Sequence, residues 1–430
     1  MQMIRVWLIV LMIVSFASAN KHMLTLDEVI SLAIKHSPDL KSYKLDVQKA
    51  STHTKYIYGN YLPHLSLSAN GGKGLSKLKH QPYGNIDILQ ASIHISQLVY
   101  DFGKNSHLLD ASIQMTQAYK AQFAQKLSDK LFQVKQAYFE LLKAKGIIEV
   151  EKKHLSLQQK QLYRAKKYLK AGIKTIIDVS DAKVRLSQAK KALNSARYLL
   201  ELQKSNLEQI IGVSPYSGIY DIYTPTLDAN KLSKKLPKIP KDIHRLQRYA
   251  YKHRAIIKSS EHIIKSTQST LHSIKSDYYP NLSLSGNYME QKVDSHMLAT
   301  MPKSQGDVTL NLNWNLFEGY QTDTKIQEAK IDTLKANANK IEIKNYIKAE
   351  VTQAYLKLKE SIDTFKLNKE ILKVSKDKFY QARKRYENDL SDFIELQNAR
   401  LDYINSLNSL INSFYDCYIA QALLNHAIGE

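Results

Sequence analysis

Tyr61-Leu62-Pro63-His64-Leu65-Ser66-Leu67-Ser68 and Tyr278-Tyr279-Pro280-Asn281-Leu282-Ser283-Leu284-Ser285 are two versions of one pattern, lying 217 residues apart. In both, a proline stops a helical stretch and apolar and polar side chains begin to alternate, the period-two mark of a half-buried strand. The same offset joins Leu32-Ala33-Ile34-Lys35-His36 to Tyr249-Ala250-Tyr251-Lys252-His253, Val134-Lys135-Gln136-Ala137-Tyr138 to Val351-Thr352-Gln353-Ala354-Tyr355, and Ile211-Gly212 to Ile428-Gly429. A repeat of this length lies outside the range of about 20–50 residues found in solenoids. It describes a duplicated unit of roughly 200 residues with pseudo-twofold symmetry.

Each copy reads helix, strand, strand, very long helix, shorter helix. Residues 20–212 form the first repeat, with strands at about 62–71 and 87–100, a long helix at about 104–171 and a shorter one at about 177–211. Its opening helix starts at Thr25, a good cap, and is expected to run to about Tyr58. Residues 241–430 form the second repeat, with strands at about 279–288 and 307–317 and helices at about 321–386 and 394–427. Between them, 213–240 holds Pro215, Pro225, Pro237 and Pro240 and reads as a linker too irregular to be core. Each long helix would be on the order of 100 Å at 1.5 Å per residue. The seams are narrow and coiled-coil-like: Leu131, Val134, Tyr138 and Leu141; Leu186, Ala189, Leu193, Ala196 and Leu200; Ile404, Leu407, Ile411 and Phe414.

Residues 1–19 read as a signal peptide: Arg5, an apolar run from Val6 to Phe16, then Ala17-Ser18-Ala19, with the mature chain expected from Asn20 and no lipid anchor. The chain carries 62 Lys plus Arg against 40 Asp plus Glu, but the lysines are spread along helices, and an exported protein with that spread is not expected to bind nucleic acid. One cysteine, Cys417, excludes an intramolecular disulfide. The 14 histidines show no metal-ligand spacing, and no phosphate loop or nucleophile motif is present, so neither a cofactor nor enzymatic chemistry is expected.

The alternating strands decide the class. Leu65, Leu67 and Ala69 face away from Ser66, Ser68 and Asn70; Ile93, Ile95 and Val99 continue the pattern; Val308, Leu310, Leu312, Trp314 and Leu316 oppose Thr309, Asn311, Asn313 and Asn315. The helices are too polar to cover such faces, whereas lipid would cover them. An open sheet cannot sit in lipid with unsatisfied edges, and known barrels have at least eight strands. Four strands per chain therefore require several chains to share one barrel.

A long internal repeat with paired amphipathic strands and rod-length helices resembles the TolC-type outer membrane efflux protein family. The resemblance rests on the junctions at Pro63 and Pro280, on Val99-Tyr100-Asp101-Phe102-Gly103 and Leu316-Phe317-Glu318-Gly319, and on Ile177-Asp178-Val179 and Ile394-Glu395-Leu396. It implies an α+β membrane protein: a homotrimer with a 12-stranded outer-membrane β-barrel, continued by a long periplasmic α-helical barrel. It also implies a periplasmic adaptor (membrane fusion) protein and an inner-membrane pump as partners, and a duct for efflux or type I secretion. By the same resemblance, Glu395 and Asn398 match the family's acidic constriction, Asp178 and Asp181 are their counterparts in the first copy, and Tyr386 matches the tyrosine that holds Asp178. Ala171-Gly172-Ile173 and Asn388-Asp389-Leu390 match the adaptor-docking turns. The competing expectation is a non-channel periplasmic coiled-coil scaffold or adaptor. Such a protein would carry a single helical hairpin and a globular β domain.

Overall fold

The computed structural model describes residues 22–77, 83–214, 220–294, 302–388 and 390–430, so the signal-peptide expectation lies outside the described residues. The first repeat contains α1 (Leu26–His36), α2 (Pro38–Tyr58), β1 (His64–Ser76), β2 (Gly84–Tyr100), α3 (Lys104–Lys170) and α4 (Ile176–Ile211). The second contains α5 (Ile243–His253), α6 (Ala255–Lys275), β3 (Asn281–Asp294), β4 (Ser304–Asn313), α7 (Gln321–Glu387) and α8 (Phe393–Ile428). Each helix of the second repeat starts and stops 217 residues after its counterpart, as do the 3₁₀ turns Gly59–Tyr61 and Ser276–Tyr278.

Two compact units divide the chain, one of residues 43–123 and 255–343, the other of 1–42, 124–254 and 344–430. The first holds one antiparallel sheet in the order β1-β2-β3-β4. Register puts Ser66, His94, Asn287 and Asp307 in one row on one face, and Leu65, Ile95, Gly286 and Val308 in the next row on the other. The polar rows are knit by side chains: Ser68 to Ser92, His94 to Asn287, and Asn287 Nδ2 donating to Asp307 Oδ2 at 3.0 Å. On the apolar face Leu65, Leu67, Val308, Leu310 and Leu312 are each at least 64% exposed, so no layer of this chain covers them.

Two details of the strands differ from the sequence reading. The alternation through Val99 is interrupted by a register shift between Leu98 and Tyr100, and Gln97 falls on the apolar face, where its amide donates to Tyr61 O at 2.6 Å. The ladder of β4 also stops at Asn313, short of Trp314 and Leu316. Its partner β3 begins at Asn281 because Pro280 has no N–H to extend the ladder, and Trp314 instead donates to Tyr278 O at 3.0 Å.

The strand-to-helix junctions show the duplication in backbone form. Phe102 and Gly103 both have positive φ (54° and 89°), and so do Gly319 and Tyr320 (60° and 64°). Two successive left-handed residues reverse the chain into each long helix, and glycine relieves the first position in one copy and the second in the other.

The other unit is helical. Thr25 and Glu28 form a reciprocal capping box at the start of α1. The expected single helix from Thr25 to Tyr58 is broken, because Ser37, preceding Pro38, is held extended at ψ 117°. Val134, Leu141, Ala189, Leu193, Ile404, Leu407 and Ile411 are buried along the coiled-coil seams. Gly146 on α3 admits the closest approach of α8: a Cβ there would lie 2.6 Å from Ile411 Cγ2. Part of the segment read as a linker is core. Tyr220–Asp221 pairs in parallel with His22–Met23, Lys145 binds Asp221 at 2.6 Å, and Ile222 and Leu232 are buried. Its prolines prevent long elements but leave short apolar anchors free to pack. Cys417 is likewise a core residue, fully buried, with its thiol pushed up to about 12 by burial and the nearby Asp416.

Candidate functional site

Two helix–helix turns carry the residues singled out above, and both belong to the helical unit. After α3, Gly172 (φ 72°) lets Gly172 N donate to Leu169 O at 3.1 Å and Ile173 N to Tyr168 O at 2.9 Å, the paired bonds of a Schellman turn. Ala171, Gly172 and Ile173 are all exposed, and a Cβ at Gly172 would meet nothing within 4 Å. After α7, Asn388 N donates to Lys384 O at 3.1 Å and Leu390 N to Arg385 O at 2.9 Å. Asn388 and Leu390 are exposed; Asp389 lies outside the described residues. Each turn thus presents an apolar side chain, Ile173 or Leu390, to solvent.

The following helices start differently in the two copies. At α4, Thr175 caps, and Asp178 Oδ2 accepts from Thr175 N at 2.8 Å and from Thr175 Oγ1 at 2.9 Å. At α8 the cap is Asp392, whose carboxylate accepts from Glu395 N at 2.7 Å. With an aspartate as cap, the reciprocal half of the box would bring two carboxylates together. Glu395 instead faces Arg385 on α7, Oε1 to Nε 3.5 Å, with both side chains about half exposed. Asn398 is exposed one turn along the same face, and Asp181 is exposed on α4. Tyr386 is buried, its ring 5.4 Å from Lys174 Nζ and 6.2 Å from Phe393.

Sequence reading missed Arg385 and Lys174. A signal was present for the first, since a basic residue in the last turn of a helix is placed to serve whatever acid the next helix presents.

In the sheet unit, aromatic side chains gather where strands meet helices. Tyr100 lies 4.8 Å from Phe102, which stacks on Tyr279 at 5.2 Å, and Phe317 meets Tyr320 at 5.9 Å. At the other end of the apolar face, charge begins with Lys73 and Asp87, paired at 3.3 Å, and with Glu290 across the ladder. Aromatic side chains, an apolar band and then charge is the sequence of surfaces a membrane strand crosses. No helix among the described residues is long and apolar enough to span a membrane.

The comparisons with known proteins follow the same division. The profile of the outer membrane efflux protein family matches residues 29–213 and again 248–430, once per repeat. Protein CyaE of Bordetella pertussis is 23% identical over 385 residues, covering 89% of this chain and 79% of that protein. The outer membrane protein TolC of Vibrio cholerae is 21% identical over 408 residues, covering 94% and 90%. Among solved structures, CusC superposes with a TM-score of 0.82 at 16% identity, covering 96% of this chain and 95% of that one. With the family profile spanning both repeats and the fold shared with outer-membrane channels, this chain belongs to the outer membrane efflux protein family, built from membrane strands and long helices that reach into the periplasm.

Proposed function

We propose that three copies of this chain close one 12-stranded barrel and act as the outer-membrane exit duct of a tripartite efflux or type I secretion system. The carrying observation is the sheet itself. Its order β1-β2-β3-β4 is antiparallel throughout, so β4 of one copy and β1 of the next run in opposite directions and can continue the ladder. Lipid does not tolerate the alternative of two open edges. Four strands are half the smallest known barrel, and closure by three copies puts the Ser, His, Asn and Thr rows in the lumen and the leucines in lipid.

Within this reading, Glu395 and Asn398 form the constriction at the periplasmic end, with Asp178, Asp181 and Tyr386 supporting it. Ala171-Gly172-Ile173 and Asn388-Asp389-Leu390 dock the periplasmic adaptor, which brings the inner-membrane pump. The duct does no chemistry of its own; energy comes from the pump. Carboxylates of Glu395 about 6 Å apart around a threefold axis would repel by roughly 3 kcal/mol per pair at an effective dielectric near 20. Arg385 beside each one offsets part of that repulsion while the gate is shut.

The test is the mass of the detergent-extracted protein combined with planar-bilayer recording. A heat-modifiable trimer that carries current is the expected result. A monomer or an elongated dimer without conductance would favour a periplasmic scaffold and remove the duct.

A further inference from the structure

Along the contact of α3 with α8 runs a line of polar side chains that coiled-coil packing does not require. Glu151, His154, Gln158 and Gln161 on α3 and Gln397 and Arg400 on α8 are all at least nine-tenths buried. Arg400 has no carboxylate partner among the described residues. Its Nη1 donates to Gln158 Oε1 at 2.9 Å and Gln397 Oε1 at 3.3 Å, and its Nη2 to Gln161 Oε1 at 3.4 Å. Burial, with Arg164 and Arg383 nearby, lowers its pKa to about 10, which still leaves it charged at neutral pH.

A guanidinium accepts nothing, so it fixes the amides around it. Gln158 must turn Oε1 to Arg400, which leaves its NH2 facing His154 Nε2 at 3.3 Å. That ring nitrogen must therefore be the acceptor. Glu151 Oε2, 3.1 Å from Nδ1, takes the one ring proton. His154 is thus held neutral in a single tautomer from both sides.

A second proton on Nε2 would set two donors against each other. Turning the Gln158 amide relieves that clash only by presenting NH2 to Arg400. Either way the run loses a hydrogen bond, and two cations stand one amide apart. From the geometry we infer that Gln158 relays the protonation state of His154 to Arg400, making the α3–α8 contact a latch that acid releases.

The surrounding charges set the sign. Glu151 is on the same helix as His154, so it pairs with an imidazolium whether or not α8 is docked. Asn408 on α8 donates to Glu151 Oε1 at 3.0 Å, and Tyr403 accepts from Lys153 on α3 at 2.6 Å; both contacts survive a change at His154. From α7, Arg383 binds Glu387, which also binds Arg164 of α3, so those charges are already committed. Only Arg400 penalises the second proton, and only while docked. Acid therefore favours the undocked arrangement. In the proposed duct, release of α8 frees the helix that carries Glu395; that consequence rests on the duct reading, whereas the latch does not.

Hydrogen exchange of the full-length detergent-extracted protein tests the latch without requiring conduction. Amides of 150–162 and 396–409 should lose about tenfold in protection between pH 7.5 and 5.5, after correction for intrinsic rates, as expected for one charge-assisted hydrogen bond. His154→Gln should keep the pH 7.5 protection and abolish the pH difference. Gln158→Met should show reduced protection at both pH values. A wild-type protein without the pH difference, or a His154→Gln variant that retains it, overturns the latch. Bilayer recordings on the same samples should show more open events at pH 5.5. Exchange as predicted in a protein that never conducts keeps the latch and overturns the duct.

Discussion

Placing arginine along β4 measures at once which face of the sheet meets lipid and how deep each residue lies. Val308, Leu310 and Leu312 share the apolar face, and Thr309 and Asn311 the opposite one. Trp314, at the aromatic end, marks one boundary of the apolar band. Val308 is six residues away, about 20 Å along a strand at 3.3 Å per residue, and about 15 Å along the membrane normal at a tilt near 40°. In a band about 25 Å tall that is close to the midplane. Leu312 is two residues from Trp314, about 5 Å along the normal by the same arithmetic. Val308→Arg should therefore cost about 2–4 kcal/mol, and Leu312→Arg only about 0–1. Thr309→Arg, next in sequence to Val308, points to the polar side beside Ser285 and should be tolerated. The assay is the denaturant midpoint for unfolding from lipid, with the yield of heat-modifiable oligomer as a second readout. Thr309→Arg as damaging as Val308→Arg would put the register off by one. Leu312→Arg costlier than Val308→Arg would put the aromatic boundary in the wrong place.

Other consequences can be checked independently. Glu395→Gln should weaken cation selectivity and multivalent-cation block in bilayer recordings, while Arg385→Ala, which exposes the carboxylate, should strengthen both; unchanged selectivity in both variants would make Glu395 a helix-start carboxylate only. Gly172 and Gly212 both have positive φ, but a Cβ at Gly172 meets open space and one at Gly212 lies 2.7 Å from His36 O. Gly172→Ala should cost about 1 kcal/mol, the left-handed penalty alone, and Gly212→Ala about 3 kcal/mol; equal shifts in the denaturation midpoint would refute the steric argument. Burial alone would raise the pKa of Asp129, but hydrogen bonds from His426 and Gln125, with the charges of His426 and Lys126, bring it from 3.8 to about 2. A depressed carboxylate stabilises above its unfolded pKa, and the gain is lost as pH falls through the folded one. Asp129→Asn should therefore cost about 1–2 kcal/mol at pH 7, discounted for partial exposure, and the gap should close between pH 4 and 2. A gap constant over that range would contradict the assignment.

How much was legible in the chain follows from which interactions are local. The offset of 217 residues, the strand alternation and the long proline-free stretches are properties of neighbouring residues, and they suffice for the duplicated helix–strand–strand–helix–helix order. Pro280 and Pro38 show the same logic: loss of an N–H or restriction of the preceding residue acts within one or two positions, so the end of the ladder and the helix break are written locally. The family resemblance came from such local junctions, and the family profile and the shared fold agree with it.

Contacts over long separations were not legible. Glu395 stands one residue short of the pattern of its counterpart Asp178, yet its partner is Arg385 rather than the helix cap, because Asp392 occupies the cap position with a like charge. Ile222 and Leu232 are core although their surroundings read as linker, since short anchors carry no periodicity to detect. The line from Glu151 through His154 and Gln158 to Arg400 exists only because α3 and α8 pack side by side. Sequence spacing puts 151, 154, 158 and 161 on one helix face; only tertiary structure, by burying a cation against that face without a counter-charge, dictates which way each amide must point.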